Sequence, residues 1–211
     1  MCVCVGVVGG ALLFMLGILP APFGAWLFWK MVASTGFVAV ALAAGGTSSA
    51  WGRAMTAGTA LCWVGDLVLP WSFLAGLTTF LLAHLAFSLS FWLLGVSPKW
   101  SMASLAILAP AGLVAFVHLW PHMTPDVHLA ILAYAIVITL MVAMAAGAFG
   151  KDGGILMPLG AVAFYVSDIF VVRGYLGLST HHEGVIGVPL YYAGVVMLAS
   201  SIAVHRPWGS H

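Results

Sequence analysis

Charge is what this sequence has least of. Lys, Arg, Asp and Glu make up 5% of its 211 residues, against roughly a quarter in an ordinary soluble domain. The formal net charge is +1, and the clustered Lys and Arg that phosphate contacts require are missing, which excludes nucleic acid as a partner. Cysteine is scarce as well: Cys2, Cys4 and Cys62 show no metal-type spacing and give no disulfide framework. Palmitoylation of Cys2 or Cys4 is open to a chain end at a membrane, but free thiols are the simpler reading. The opening "MCVCVGVVGGALLFMLGILPAPFG" has neither a basic region nor a small-residue cleavage site, so it reads as a retained span rather than a signal peptide. No barrel-type alternation of apolar and polar residues is present. The closing "GSH" at 209–211 reads as a tag remnant and carries no functional weight.

What is there is apolar. Hydrophobic residues make up 64% of the chain, and cutting the runs at Pro, Gly and charge gives spans near 3–19, 23–44, 54–69, 72–95, 102–120, 127–149, 155–176 and 186–204. Several match the roughly 20 residues needed to cross the hydrocarbon core. The expectation is an all-α polytopic membrane protein: a single domain over 1–211, an eight-helix transmembrane bundle with short loops. Eight crossings put both termini on one side, and Arg53, Lys99, Lys151 and Arg206 then fall on that side. The positive-inside rule makes it cytoplasmic. In a bacterium the location would be the cell membrane.

Two carboxylates interrupt the apolar runs. "GTALCWVGDLVLPWSFLAG" (58–76) holds Asp66, and "GAVAFYVSDIFVVRGYLG" (160–177) holds Asp168. Each has a Gly eight residues before the Asp, an aromatic three before, Val two before and a small residue just before. Two four-helix halves related by an axis along the membrane normal would produce that pattern. Chance in a chain dominated by Gly, Ala, Val and aromatics is the rival explanation.

Lys30, His84 and Arg173 join the two Asp residues in apolar spans. An Asp, Lys or Arg at the bilayer centre costs roughly 2.5–3.5 kcal/mol, so such groups face a protein interior or a wet cavity. One reading is structural, with Lys30 neutralising one Asp. The other is chemical: two carboxylates in one low-dielectric site, balanced by one Lys, share one proton and form an acid–base pair that needs no metal or cofactor. His84 with the two Asp residues would also make the three ligands of a zinc hydrolase. No second His lies inside a span, since His118, His122, His128, His181 and His182 fall at helix ends or in loops. Arg173 can snorkel to the interface or receive a lipid phosphate. Tyr134, Tyr191 and Tyr192 are hydroxyl donors either to a site or to backbone.

The motifs that carry these residues resemble the lysoplasmalogenase family of eight-span membrane proteins, also called YhhN-like. They are "FWKM" with Lys30, "WVGDLVL" with Asp66, "TTFLLAHLAF" with His84, "AYAIVITLMVAMA" with Tyr134, "GAVAFYVSD" with Asp168, and "PLYYAG" with Tyr191 and Tyr192. Met31 stands where the family has Pro, and Val195 lies near a family Gln. The resemblance implies hydrolysis of the vinyl-ether bond of lysoplasmalogens to a fatty aldehyde and glycerophosphocholine or glycerophosphoethanolamine. Asp66 and Asp168 would be catalytic, an apolar groove would hold the alkenyl chain, and Lys30 or Arg173 would meet the headgroup phosphate. Neither a metal nor a cofactor is implied. A proton-coupled transporter and an intramembrane aspartyl protease bury the same residue types and remain as other readings.

Overall fold

The computed structural model describes residues 1–16, 25–151, 154–178 and 181–204, with the side chains of 181–184 outside that description. Arg206, residues 209–211 and the side chains of His181, His182 and Glu183 therefore lie outside the described residues. Among the described residues the chain forms eight α-helices: α1 (Cys2–Met15), α2 (Trp26–Ala43), α3 (Ala50–Val68), α4 (Phe73–Leu94), α5 (Pro98–Leu119), α6 (Pro125–Phe149), α7 (Leu156–Tyr175) and α8 (His181–Val204). A single 3₁₀ turn, Trp120–His122, joins α5 to α6. Helices are the expected solution, because a chain without water around it must satisfy its backbone hydrogen bonds within each segment. Six of them, α2 and α4 through α8, are long and apolar enough to cross a membrane, and the protein is a multi-pass membrane protein. Helix α3 is 19 residues long but carries Arg53 and Asp66, and α1 is an apolar helix of 14 residues.

Three helices, α3, α5 and α8, start a full turn or more before the apolar runs do. Arg53 was the cut in the sequence, yet α3 begins at Ala50 because the Ser49 hydroxyl caps it, accepting from the Gly52 N–H at 3.1 Å. Helix α5 begins at Pro98, whose missing N–H costs nothing in a first turn. Helix α8 begins at His181 and runs through Pro189. At the other end of α4, Gly95 adopts φ +105°, a conformation that favours glycine, and turns the chain sharply out of the helix.

Packing makes a closed ring of six helices in the order α2, α3, α4, α6, α7, α8 and back to α2. The two omitted helices sit outside it, α1 against α2 and α5 against α6. Exchanging α1–α4 with α5–α8 leaves this pattern of principal neighbours unchanged. Helix α5 contributes one buried residue, Leu119, and tolerates Pro110 at its middle. The glycines of the repeated motif lie at equivalent crossings. Gly58 brings α3 against the Phe87 ring of α4, and Gly160 brings α7 so close to α8 that a Cβ there would lie 2.8 Å from the Gly194 carbonyl oxygen.

Candidate active site

Asp66 lies in the last turn of α3, is 2% exposed, and gathers partners from two neighbouring helices. From α2, Lys30 Nζ stands 3.2 Å from Asp66 Oδ1. One turn along α2, Ser34 Oγ stands 2.5 Å from Oδ2. From α8, the Tyr191 hydroxyl donates to Oδ2 at 2.9 Å. Tyr192 closes the group from outside: its hydroxyl is 3.2 Å from both Ser34 Oγ and the Lys30 carbonyl oxygen. Lys30 Nζ also lies over the Trp26 ring, 5.2 Å from its centroid. A buried ammonium and a buried carboxylate that satisfy one another avoid the several kcal/mol each would cost alone.

Asp168, on α7, has a different set. The Tyr134 hydroxyl of α6 donates to Oδ2 at 2.6 Å, and His84 of α4 points Nε2 at the same oxygen from 3.6 Å. Among the described residues no Lys or Arg lies within ion-pair distance of it.

Both carboxyls line one cavity of about 560 Å³, together with Lys30, Tyr134, Tyr191 and Tyr192. That volume is in the range of small-molecule sites. Most of the remaining lining is apolar: Leu69, Leu77, Phe80, Phe170, Val171, Val172 and Val188. Leu69, Leu77, Val172 and Val188 belong to the ends of α3 and α7 and the starts of α4 and α8. The cavity therefore extends from the Asp residues toward one end of the bundle. Phe80 and Tyr191 of this lining meet each other and Phe164 edge to face, with Phe164 and Tyr191 centroids 5.2 Å apart.

Of the residues singled out in the sequence, five besides the Asp pair are brought to this site: Lys30, Tyr134, Tyr191 and Tyr192 in the lining and His84 behind Asp168. Arg173 is not among the lining residues; its guanidinium donates to the Leu178 carbonyl at 3.1 Å, securing the chain where α7 ends. The histidines assigned to helix ends behave so, His128 stacking on Trp120 with centroids 3.9 Å apart. No group of three or more His, Cys, Asp or Glu side chains converges among the described residues. Two residues were not anticipated. Ser34 had a readable signal, lying four residues after Lys30 on the same helix face, whereas Cys62, buried one turn before Asp66, gave none.

The sequence model of the YhhN family matches residues 25–202, a stretch that contains every residue just described. The chain belongs to the YhhN family. Two relatives are similar to this YhhN-family chain over the greater part of its length. Lysoplasmalogenase TMEM86B of Sus scrofa is 30% identical over 142 residues, 66% of this chain and 59% of the relative. Lysoplasmalogenase TMEM86B of Homo sapiens is 28% identical over 141 residues, 65% of this chain and 58% of the relative. The match thus spans a little under three fifths of the length of these curated relatives. No solved structure matches the chain.

Proposed function

We propose that this protein is a lysoplasmalogenase-type hydrolase that cleaves the vinyl-ether bond of an alkenyl lysophospholipid, with Asp168 as the acid and Asp66 as the base. The observation that carries the reading is one apolar cavity holding two carboxyls of unequal surroundings, one ion-paired with a Lys and one with no Lys or Arg beside it among the described residues. The ion pair with Lys30 keeps Asp66 ionised, while Asp168, without a cation, holds the proton that the pair can share.

The reaction uses both states. Asp168 transfers its proton to the β-carbon of the vinyl ether, and the alkene electron pair forms that C–H bond, leaving an oxocarbenium ion. Asp66, still negative, faces that cation and takes a proton from the water that attacks it, giving a hemiacetal. Collapse of the hemiacetal returns a proton from its hydroxyl to Asp168, and Asp66 gives its own to the departing glycerol oxygen. Fatty aldehyde and glycerophospho-alcohol leave, and both carboxyls are reset. Paired carboxylates serve oxocarbenium chemistry at glycosidic bonds in the same way. The largely apolar lining suits an alkenyl chain better than a peptide, whose main-chain polar groups would lack partners there.

The decisive assay is aldehyde release by the purified protein from an alkenyl lysophospholipid, with the saturated ether analogue as control. Aldehyde from the alkenyl substrate alone is the expected result; peptide cleavage or solute flux in liposomes without aldehyde would sink the reading.

The same proposal includes the topology: one membrane domain with eight crossings and both termini cytoplasmic, since Arg53, Lys99 and Lys151 then share the inner side. Single cysteines at Arg53 and Trp71, at opposite ends of α3, should label from opposite sides of the membrane. Labelling from one side would remove α3 from the crossings.

A further inference from the structure

His84 is 0% exposed; neither ring nitrogen makes a well-formed hydrogen bond among the described residues, and the Phe80 backbone, one turn earlier on α4, is near enough to act on the ring only as a weak partner. An unsatisfied buried imidazole is costly, and a native structure that keeps one calls for an explanation. Its plane is set chiefly by aromatic contacts: the ring meets Tyr134 edge to face with centroids 5.2 Å apart and leans on Phe164 at 4.8 Å. So held, Nε2 is aimed at Asp168 Oδ2 but stops at 3.6 Å, beyond hydrogen-bonding range. The Tyr134 hydroxyl already donates to that oxygen. His84 is absent from the cavity lining, so its effect on substrate must pass through Asp168.

We infer that His84 is a positioning residue for Asp168, a donor held in reserve that completes its hydrogen bond only once Asp168 has given up its proton. The kinetic consequence rests on the vinyl-ether reading above. Proton transfer to the alkenyl carbon leaves a carboxylate with no cation against it. The groups facing it are Tyr134 of α6, His84 of α4 and, on α3, Asp66 and Cys62. With its proton on Nε2, the ring needs to move by less than about 1 Å to reach hydrogen-bond distance. The bond it then makes is charge-assisted. Because that bond is absent while Asp168 is protonated, it stabilises the transition state and not the bound substrate.

Two amides separate this role from packing. Gln at 84 can place an N–H near the position of Nε2, whereas Asn reaches only as far as Nδ1. The protonated Asp168 carboxyl is followed by its infrared band, identified as the difference between wild type and Asp168→Asn, in purified protein without substrate. In His84→Leu and His84→Asn the band should persist to a pH about one unit higher than in wild type, the tenfold weight of one charge-assisted bond, and His84→Gln should stay near wild type. With the alkenyl substrate, kcat should fall roughly tenfold in the Leu and Asn variants at unchanged KM, and Gln should keep most of it. If His84→Leu does not fold, the Asn and Gln pair carries the comparison. A band unmoved by loss of His84, or a Gln variant no better than Asn, would overturn the inference. A wild-type protein that releases no aldehyde would defeat the vinyl-ether reading, and the infrared comparison would still decide the role of His84.

Discussion

The two halves of this molecule share a frame and differ in what they place on it. Exchanging α1–α4 with α5–α8 carries the ring of six onto itself, Asp66 onto Asp168, and Gly58 onto Gly160. The partners of the carboxyls follow the same exchange: Asp66 is met from α2 and α8, and Asp168 from α6 and α4. Their chemistry does not follow it. Where α2 supplies Lys30 and Ser34, α6 supplies the hydroxyl of Tyr134; where α8 supplies Tyr191, α4 supplies an imidazole that stops short. A symmetric pair would give two equal carboxyls competing for one proton. In the proposed mechanism, breaking the symmetry with one Lys fixes which carboxyl is charged and so assigns acid and base before substrate arrives.

The largest effect expected from this asymmetry is on activity. Asp66→Asn and Asp168→Asn should each lower aldehyde release by at least about a hundredfold, since an amide can neither give the acidic proton nor carry the charge. The double variant should be scarcely slower than either single one, because the two act as a unit. Stability should separate the halves that activity does not. Asp66→Asn strands the Lys30 ammonium in a buried site, at a cost of about 3–5 kcal/mol. Asp168→Asn strands no cation and should melt close to wild type in detergent. Adding Lys30→Met to Asp66→Asn should restore the melting temperature without restoring aldehyde release. Equal loss of stability at both positions would show that the assignment of charge to Asp66 is wrong.

A smaller contrast is expected between tyrosines. Tyr134→Phe removes the one hydroxyl that donates to Asp168 among the described residues, so activity should fall roughly tenfold, the weight of one hydrogen bond to an ionisable group. Tyr191→Phe leaves Asp66 with Lys30 and Ser34, and the loss should be a few-fold. The reverse order, read from kcat of the two variants, would make Asp66 rather than Asp168 the acid that protonates the alkenyl carbon.

How much of this was readable in advance follows from the solvent. Asp66, Asp168, Lys30 and His84 stood out because a polar group inside an apolar run is costly in a bilayer, so each is informative on its own. The repeated Gly and Asp spacing also pointed to equivalent helices. Which helices adjoin was not readable. In water a helix turns an apolar stripe to the core, but lipid is as apolar as the core, and the stripe that would orient each helix is lost. Helix α5 is as apolar as its neighbours, so nothing in its sequence excludes it from the ring. For the same reason neither the pairing of Lys30 with Asp66 rather than Asp168 nor the approach of His84 to Asp168 was foreseeable. Ser34 and Cys62 are small residues common at helix contacts, and their place beside Asp66 depends on the ring order.

The smallest expected effect tests the frame itself rather than the chemistry upon it. Gly58 and Gly160 occupy matching crossings, but what each faces differs. A Cβ at Gly160 would meet the Gly194 carbonyl oxygen at 2.8 Å and the Met197 Cβ at 3.0 Å, whereas a Cβ at Gly58 would run into the Phe87 ring. A ring can tilt if its neighbours give way; a helix backbone moves only by parting α7 from α8. Gly160→Ala should therefore cost more stability than Gly58→Ala, within the ~1–3 kcal/mol typical of overpacking. Separating α7 from α8 would also move Asp168 relative to Tyr191, so the small activity loss of Gly160→Ala should appear in kcat with KM nearly unchanged. Thermal melting and steady-state kinetics of the two variants check both statements. Equal destabilisation would mean that Phe87, fully buried as it is, is held as firmly as backbone, and that the two halves are matched in rigidity as well as in topology.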